Sequence, residues 1–413
     1  MGLEMKVKRA VLKEIACKYQ RSSKKGKGQV LEELLGLTGY NRCYGSWLLR
    51  NCGRKVVIRG LNGEEVIVIG EIRKIKRRRK RVYDEEFKKA LMWLWQVLDY
   101  SCGKRLVASL GWLIPKLEEQ RELRVKKSVR EKLLRVSAST ADRLLRPERK
   151  KMEIKSRART RPGTLLKYQV PIRTYAEWDE KRPGFLETDL VGHDGGRAEG
   201  EFLWSLNATD VASTWSETMA VKNRAQVWTF EAIQKIKDRL PFKLLGIDSD
   251  NDGAFINAHL IKYCQDNQLT FTRSRASKKN DGCYVEQKNY SVVRRLVGYA
   301  RYDTPEEQAL LNQLYSISRL YYNFFQVTMK LKSKERIGSR VIKRYDTPKT
   351  PYQRLLESPD IEEEQKERLR AIYKELNVVK LKKQMERLQD KLFRLQRYKK
   401  NCTTFRIDSY VRQ

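Results

Sequence analysis

Apolar positions recur at helical spacing in three early segments, near Lys6 to Tyr19, Gly28 to Gly36 and Asn41 to Arg50. These predict a small trihelical unit. Asn41 can cap its third helix, with Tyr44, Trp47 and Leu48 as anchors and Arg42, Tyr44 and Ser46 on the outward side. KVVIRG and EEVIVIG flank Leu61-Asn62-Gly63 and predict a strand, a turn and a strand, a candidate wing beside the helices. A helical stripe returns at Phe87, Leu91, Leu94 and Leu98, then between Leu106 and Leu117. VREKLLRV followed by SASTADRLLRP then predicts a helix pair with Ser137 or Ser139 as cap, Pro147 as stop, and Arg143 and Arg146 exposed.

From Gly184 onward the pattern alternates. FLETDLVG, GEFLWSLNATD and TWSETMAVK read as strands, AQVWTFEAIQKIKDRL as a helix and FKLLGID as a strand. A helix over 258–266, the strand LTFTRS and helices over 282–299 and 304–325 complete the order βββαβαβα. That order predicts one mixed sheet covered by helices. In the tail Val378, Leu381, Met385, Leu388, Leu392 and Leu395 form a heptad-like seam, suited either to self-association or to packing on the same chain.

The fold class expected is therefore multidomain, α and α/β. Residues 1–82 form a helix-turn-helix domain with a possible wing and a basic linker, and 83–150 a second helix-turn-helix domain. A linker at 151–182 leads to the mixed-sheet core at 183–326, and 327–413 is a basic, helical tail.

Charge changes the picture from architecture to partner. The 413 residues carry 88 Lys and Arg against 51 Asp and Glu, a net charge of +37, so a polyanion is the expected partner. The run RKIKRRRKR at 73–81 is a phosphate-seeking segment. No apolar run of about 18 residues is present, which argues against a membrane partner. No secretory core opens the chain, and the seven scattered cysteines include no CxxC pair. The expectation is a soluble, intracellular protein with reduced thiols. Two histidines are too few for a zinc-finger array.

Against this cationic background three acidic residues stand in separate motifs: Asp189 in ETDLVGHDGG, Asp250 in GIDSDNDGAF and Glu286 in KKNDGCYVEQKN. The last two enclose 35 residues. Asp189 and Asp250 fall at strand ends and Glu286 near a helix start, where three carboxylates can converge. Tyr290 and Val293 would pack inward and turn Glu286 toward the sheet, leaving Lys288 and Arg295 together on the opposite side, ready for phosphate. Hard oxygen ligands suit Mg²⁺ or Mn²⁺, and two such ions would serve an in-line phosphodiester displacement. Asp248 is the rival for the second ligand, since residues two apart in a strand share a face. His193 is a further candidate for contact with substrate or metal-bound water.

The motifs ETD, DSDNDGAF and KKNDGCYVEQKN resemble the catalytic core of DDE transposases and retroviral-type integrases, most closely that of bacterial insertion-sequence transposases. The resemblance covers about residues 183–326, with looser likeness at LTGYNR and SASTADRLL. It implies a ribonuclease H-like fold, Asp189, Asp250 and Glu286 as metal-binding catalytic triad, and Asn280, Lys288 and Asn289 near DNA. It also implies that the chain binds the double-stranded ends of its element, cleaves them, transfers the 3′-ends to target DNA and works as a homo-oligomer. The chain departs from the family at Asp252, where glycine is usual, and Gly253 is displaced by one. Two further readings are a DNA-binding regulator without catalysis and a nuclease of the same fold.

Overall fold

The computed structural model describes residues 3–60, 63–69, 82–151, 182–249, 254–255, 258–273 and 283–410. The chain divides into two compact units, Met1–Val82 and Tyr83–Gln413.

In the first unit, α1 (Met5–Arg21), α2 (Lys24–Thr38) and α3 (Arg42–Asn51) enclose Leu12, Ile15, Ala16, Leu31, Leu34 and Leu49. The helix α2 begins earlier than its apolar stripe because the Ser23 side chain accepts from Gly26 N–H. It ends where Gly39 takes a left-handed conformation and donates to the Leu35 carbonyl. Asn41 caps α3 by accepting from the Tyr44 N–H at 2.7 Å. The strands β1 (Arg54–Gly60) and β2 (Gly63–Ile69) pair antiparallel, with Gly60 opposite Gly63. The basic run at 73–81 lies outside the described residues.

The second unit starts with four helices, α4 (Glu85–Val97), α5 (Gly103–Glu119), α6 (Lys127–Arg135) and α7 (Ala138–Lys150). Asp84 and Ser137 cap α4 and α7. Pro147 does not end α7, which runs on to Lys150. Its missing N–H costs only one bond near the helix end. Arg149 then ties the last turn down, donating to the Asp142 carboxylate at 2.6 Å and to the Ser101 carbonyl at 3.0 Å.

The mixed sheet holds five strands in the order β5-β4-β3-β6-β7. They are β3 (Phe185–Gly192), β4 (Trp204–Asp210), β5 (Ser216–Val221), β6 (Gly246–Ser249) and β7 (Thr270–Arg273). The first three pair antiparallel, and β6 and β7 extend the sheet in parallel from β3. Alternation divides its faces. Leu186, Leu206, Met219 and Ile247 pack against Ile233 and Ile236 of α8 (Gln226–Lys237) and Leu260 of α9 (Ala258–Asp266). Glu187, Asp189, Ser205, Asn207, Thr218 and Asp248 alternate onto the other face. Asp210, at the end of β4, is structural: its buried carboxylate accepts from Gly184 N–H, Ser213 N–H and the Ser213 hydroxyl, closing the β4–β5 turn.

The second face is covered by one continuous helical stretch: α10 (Cys283–Lys288), a π-helical turn (Asn289–Arg294) and α11 (Arg295–Val297). Next comes α12 (Pro305–Phe325), which opens with a capping box between Thr304 and Glu307. A two-stranded ribbon follows, β8 (Leu331–Ile337) with β9 (Arg340–Tyr345), then α13 (Pro351–Glu357), α14 (Glu363–Glu375) and α15 (Val378–Tyr410).

The tail seam is used within the chain. Val378, Leu381, Met385 and Leu392 are buried in the same core as Leu311 and Leu314 of α12 and Leu91 and Leu94 of α4. Of the two readings of that seam, packing on its own chain is the one observed, because α12 presents a matching apolar stripe within reach. Polar ties join the same elements. Tyr321 donates to the Val97 carbonyl at 2.5 Å, Lys382 pairs with Asp99 at 2.9 Å, and Lys116 donates to the Tyr373 carbonyl at 2.8 Å. Segments 83–150, 183–326 and 327–413 therefore share one hydrophobic core.

Candidate active site

Asp189 stands on the polar face of β3, half-buried. Its Oδ1 accepts from the neighbouring Leu190 N–H at 2.8 Å, and its Oδ2 accepts from Asn289 Nδ2 at 2.6 Å. Asn289 is itself oriented, because its Oδ1 accepts from Asn207 Nδ2 at 2.9 Å, and Asn207 Oδ1 accepts from the Thr218 hydroxyl at 3.3 Å. Thr218, Asn207 and Asp189 lie opposite one another across β5, β4 and β3. A row of neutral amides and a hydroxyl thus orients one carboxylate.

The parallel register of β3 and β6 pairs Glu187 with Asp248 and Thr188 with Ser249. Asp189 is the next residue of β3, and in the sequence Asp250 follows Ser249, the last residue of β6. Asp250 lies outside the described residues, as do Asn280 and Asp252. Asp248 is buried, and its Oδ1 accepts from the Thr272 hydroxyl at 2.5 Å, which ties β6 to β7. Glu187 is also buried and accepts from the Val285 N–H at 2.9 Å. This bond seats the start of α10 over the polar face, and Glu286, the following residue, is exposed. Among the described residues no group of three His, Cys, Asp or Glu side chains forms a metal cage.

The helix carrying Glu286 differs from expectation. Tyr290 is 55% exposed rather than packed inward, and Lys288 is 7% exposed rather than presented to solvent. The cause is the π-helical turn. In an α-helix residues seven apart return to nearly the same face, whereas a π turn takes up one more residue and rotates what precedes it by about 100°. Lys288 and Arg295 therefore do not share a face. Burial, together with the charges of Arg105 and Arg354, lowers the Lys288 pKa to about 7. Arg295 is drawn instead to Asp99, donating to its carbonyl at 3.0 Å and pairing with its carboxylate.

His193 is fully buried, so substrate cannot reach it as expected. Its Nε2 lies 2.8 Å from the Ser205 hydroxyl, which lies 2.7 Å from the Tyr315 hydroxyl. Burial, and secondarily the charge of Arg294, lowers its pKa to about 3, so the ring is neutral. The side chain pins β3 and β4 to α12.

The remaining predicted contacts are dispersed. Arg143 is exposed on α7. In the first unit Arg42 is exposed and paired with Glu32, Tyr44 is exposed with its ring edge-on to Tyr40, and Ser46 is half-buried. Sequence reasoning passed over Glu187 and Asn207. Strand alternation carried the signal: Glu187 must share a face with Asp189, and Asn207 sits mid-strand in SLNATD, where an amide needs a partner.

No protein-family model matches the chain. The chain is 36% identical over 358 residues to the uncharacterized protein y4rM of Sinorhizobium fredii (strain NBRC 101917 / NGR234), across 85% of this chain and 96% of that protein. The chain belongs to the family of that protein. Among solved structures, the HTLV-2 integrase catalytic core domain in complex with magnesium aligns with 36% of this chain and 91% of its own, at 16% identity and a TM-score of 0.27. The BIV integrase catalytic core domain aligns with 41% of this chain and 91% of its own, also at 16% identity and 0.27. Superpositions that loose leave the strand order and the side-chain geometry above to stand by themselves. Among the described residues no helix is long and apolar enough to cross a membrane.

Proposed function

We propose that the chain is a DNA transposase of the DDE class, which binds its element ends, hydrolyses a strand there and joins the exposed 3′-end to target DNA. The observation that carries this reading is the amide-held carboxylate of Asp189 at the end of a parallel strand register whose next residue is Asp250. Glu286, exposed one residue beyond the bond that seats α10 on Glu187, supplies the third carboxylate. The donor set is all oxygen, and the neutral amide of Asn289 orients Asp189, which fits a hard divalent cation. Mg²⁺ or Mn²⁺, two ions in this reading, supplies polarisation of the attacking and leaving oxygens.

In the first step a water oxygen bonds to phosphorus and the bond to the 3′-oxygen breaks, leaving a 3′-hydroxyl and a 5′-phosphate. In the second, that hydroxyl attacks a target phosphodiester and displaces a new 3′-oxygen. Glu286 and the two aspartates hold the reacting phosphate's surroundings, while the exposed Arg143 and Arg42 serve duplex binding. Joining two ends requires more than one copy. The seam of α15 through Leu392 is occupied within the chain, so assembly uses another surface.

The test is incubation of the purified chain with Mn²⁺ and labelled DNA from both flanks of its gene. Cleaved and joined products are expected, and Asp250→Asn or Glu286→Gln should abolish both while end binding persists. Cleavage undiminished by either substitution refutes the triad. Cleavage that never yields joined product makes the protein a nuclease.

A further inference from the structure

Among the described residues of the second unit, the ribbon β8–β9 is the sheet with no buried face: of its thirteen strand residues, only Leu331 and Ile342 are even half-buried. A two-stranded ribbon alone is marginal in water, so a partner surface is expected. Its composition names the chemistry. Lys332, Lys334, Arg336, Arg340, Lys343 and Arg344 face a single acid, Glu335. None of the six makes an ion pair or side-chain hydrogen bond among the described residues. Lys334 even lies directly opposite Lys343, a cross-strand pairing of like charges that a bound anion would relieve.

The cations occupy both faces. From the register, Lys334, Arg336 and Lys343 project to one side, and Arg340 and Arg344 to the other. At about 3.3 Å per residue a seven-residue strand reaches about 23 Å. A paired ribbon of that length fits the major groove of a DNA duplex, where phosphates rise on both flanks.

The base of the ribbon is not isolated. Lys343, Arg344 and Tyr345 form one wall of a cavity of about 690 Å³, and Lys104 of α5 and Ala138, the first residue of α7, form the other. The start of α7 is the end that a helix-turn-helix unit offers to base edges. We propose that β8–β9 is the wing of the α4–α7 helical unit, supplied from about two hundred residues further along the chain, and that ribbon and α7 straddle one stretch of duplex DNA. The cleft between them takes the intervening phosphate backbone. This rests on the DNA-transposase reading above and adds the surface by which the duplex is held.

The test uses the full chain and a labelled duplex of random sequence in EDTA, so that catalysis plays no part. The variant K334A/R336A/R340A/K343A is compared with wild type by fluorescence anisotropy over a salt series. Each lost phosphate contact lowers the slope of log affinity against log salt by about 0.9, so a fall of about 3 to 4 is expected, with affinity at least about tenfold weaker at 0.1 M salt. Lys104→Ala, on the opposite wall, should lower the slope by about one more. Because the substituted side chains are exposed, the melting temperature should not change, and R336K/R340K should keep the wild-type slope. An unchanged slope and affinity in the quadruple variant overturns the wing, as does tighter ribbon-dependent binding to single-stranded RNA than to the duplex. Wild type that binds no duplex at all overturns the transposase reading with it, whereas wild-type binding unaffected by the quadruple variant overturns the wing alone.

Discussion

Replacing Asn289 by alanine removes the amide that holds the Asp189 carboxylate at 2.6 Å. A hydrogen bond to a charged group is worth about 1.5–3 kcal/mol, and every 1.4 kcal/mol is about tenfold in an equilibrium constant. Without that donor the Oδ2 atom of the carboxylate loses the amide that orients it, and the metal concentration for half-maximal cleavage should rise about 10- to 100-fold, the usual cost of losing an outer hydrogen bond at a metal site. The measurement is a Mn²⁺ titration of end cleavage, with metal binding followed separately by calorimetry. Saturating Mn²⁺ should restore most of the rate, because Asn289 positions a ligand and touches no reacting atom. Asn207→Ala, which removes the support behind Asn289, should give a smaller shift in the same direction, and the double variant should be less than additive. A Mn²⁺ dependence identical to wild type in Asn289→Ala refutes the reasoning. So does a rate loss that no metal concentration restores in a protein with an unaltered melting curve.

Three further outcomes follow from the packing. Arg319 donates through Nε to both oxygens of the buried Glu217 at 2.9 and 2.7 Å, so Arg319→Met should destabilise the second unit by about 3–5 kcal/mol in urea unfolding. A Cβ on Gly103 would stand 2.3 Å from the Ala138 carbonyl oxygen, so Gly103→Ala should push α5 and α7 apart at a cost of about 1–3 kcal/mol, visible as a lower melting temperature. His193 is held neutral in the fold with a pKa of about 3 against an ordinary 6.5. The unfolded chain gains a proton that the fold refuses as pH falls from 6.5 toward 3, so stability declines across that window. The loss is about 2 kcal/mol between about pH 6.5 and 5, and His193→Asn should flatten that part of the profile.

The sheet was legible because alternation survives in single strands: FLETDLVG already puts Leu186 and Asp189 on opposite sides. So was α12, where Thr304, Pro305 and Glu307 spell out a helix start before the apolar stripe begins. The burial of Lys288 was not legible, since it depends on a π turn that leaves no mark in apolar spacing. The common core of residues 83–150 with the tail was equally hidden. Bonds such as Lys116 to Tyr373 or Lys382 to Asp99 join positions more than 250 residues apart, and local periodicity carries no information at that separation. The ribbon β8–β9 lay in the sequence only as part of a basic tail, since the candidate wing was read at the strands on either side of Leu61-Asn62-Gly63.

The π turn after Asn289 acts as a one-residue spacer between two halves of a helix that answer to different neighbours. At its end and beyond, Val293 and Val297 are locked into the shared core, while at its start Asn289 meets Asp189 and, before it, Glu286 meets solvent. A shortened chain lacking Ser291 would let the turn relax to an α-helix and would swing the upstream half by about 100°. Lys288 would then turn outward, and the amide would leave its carboxylate with every side chain of the site still present. A single deletion can thus silence this site while preserving its composition, which makes the length of that helix as much a part of the site as the residues on it.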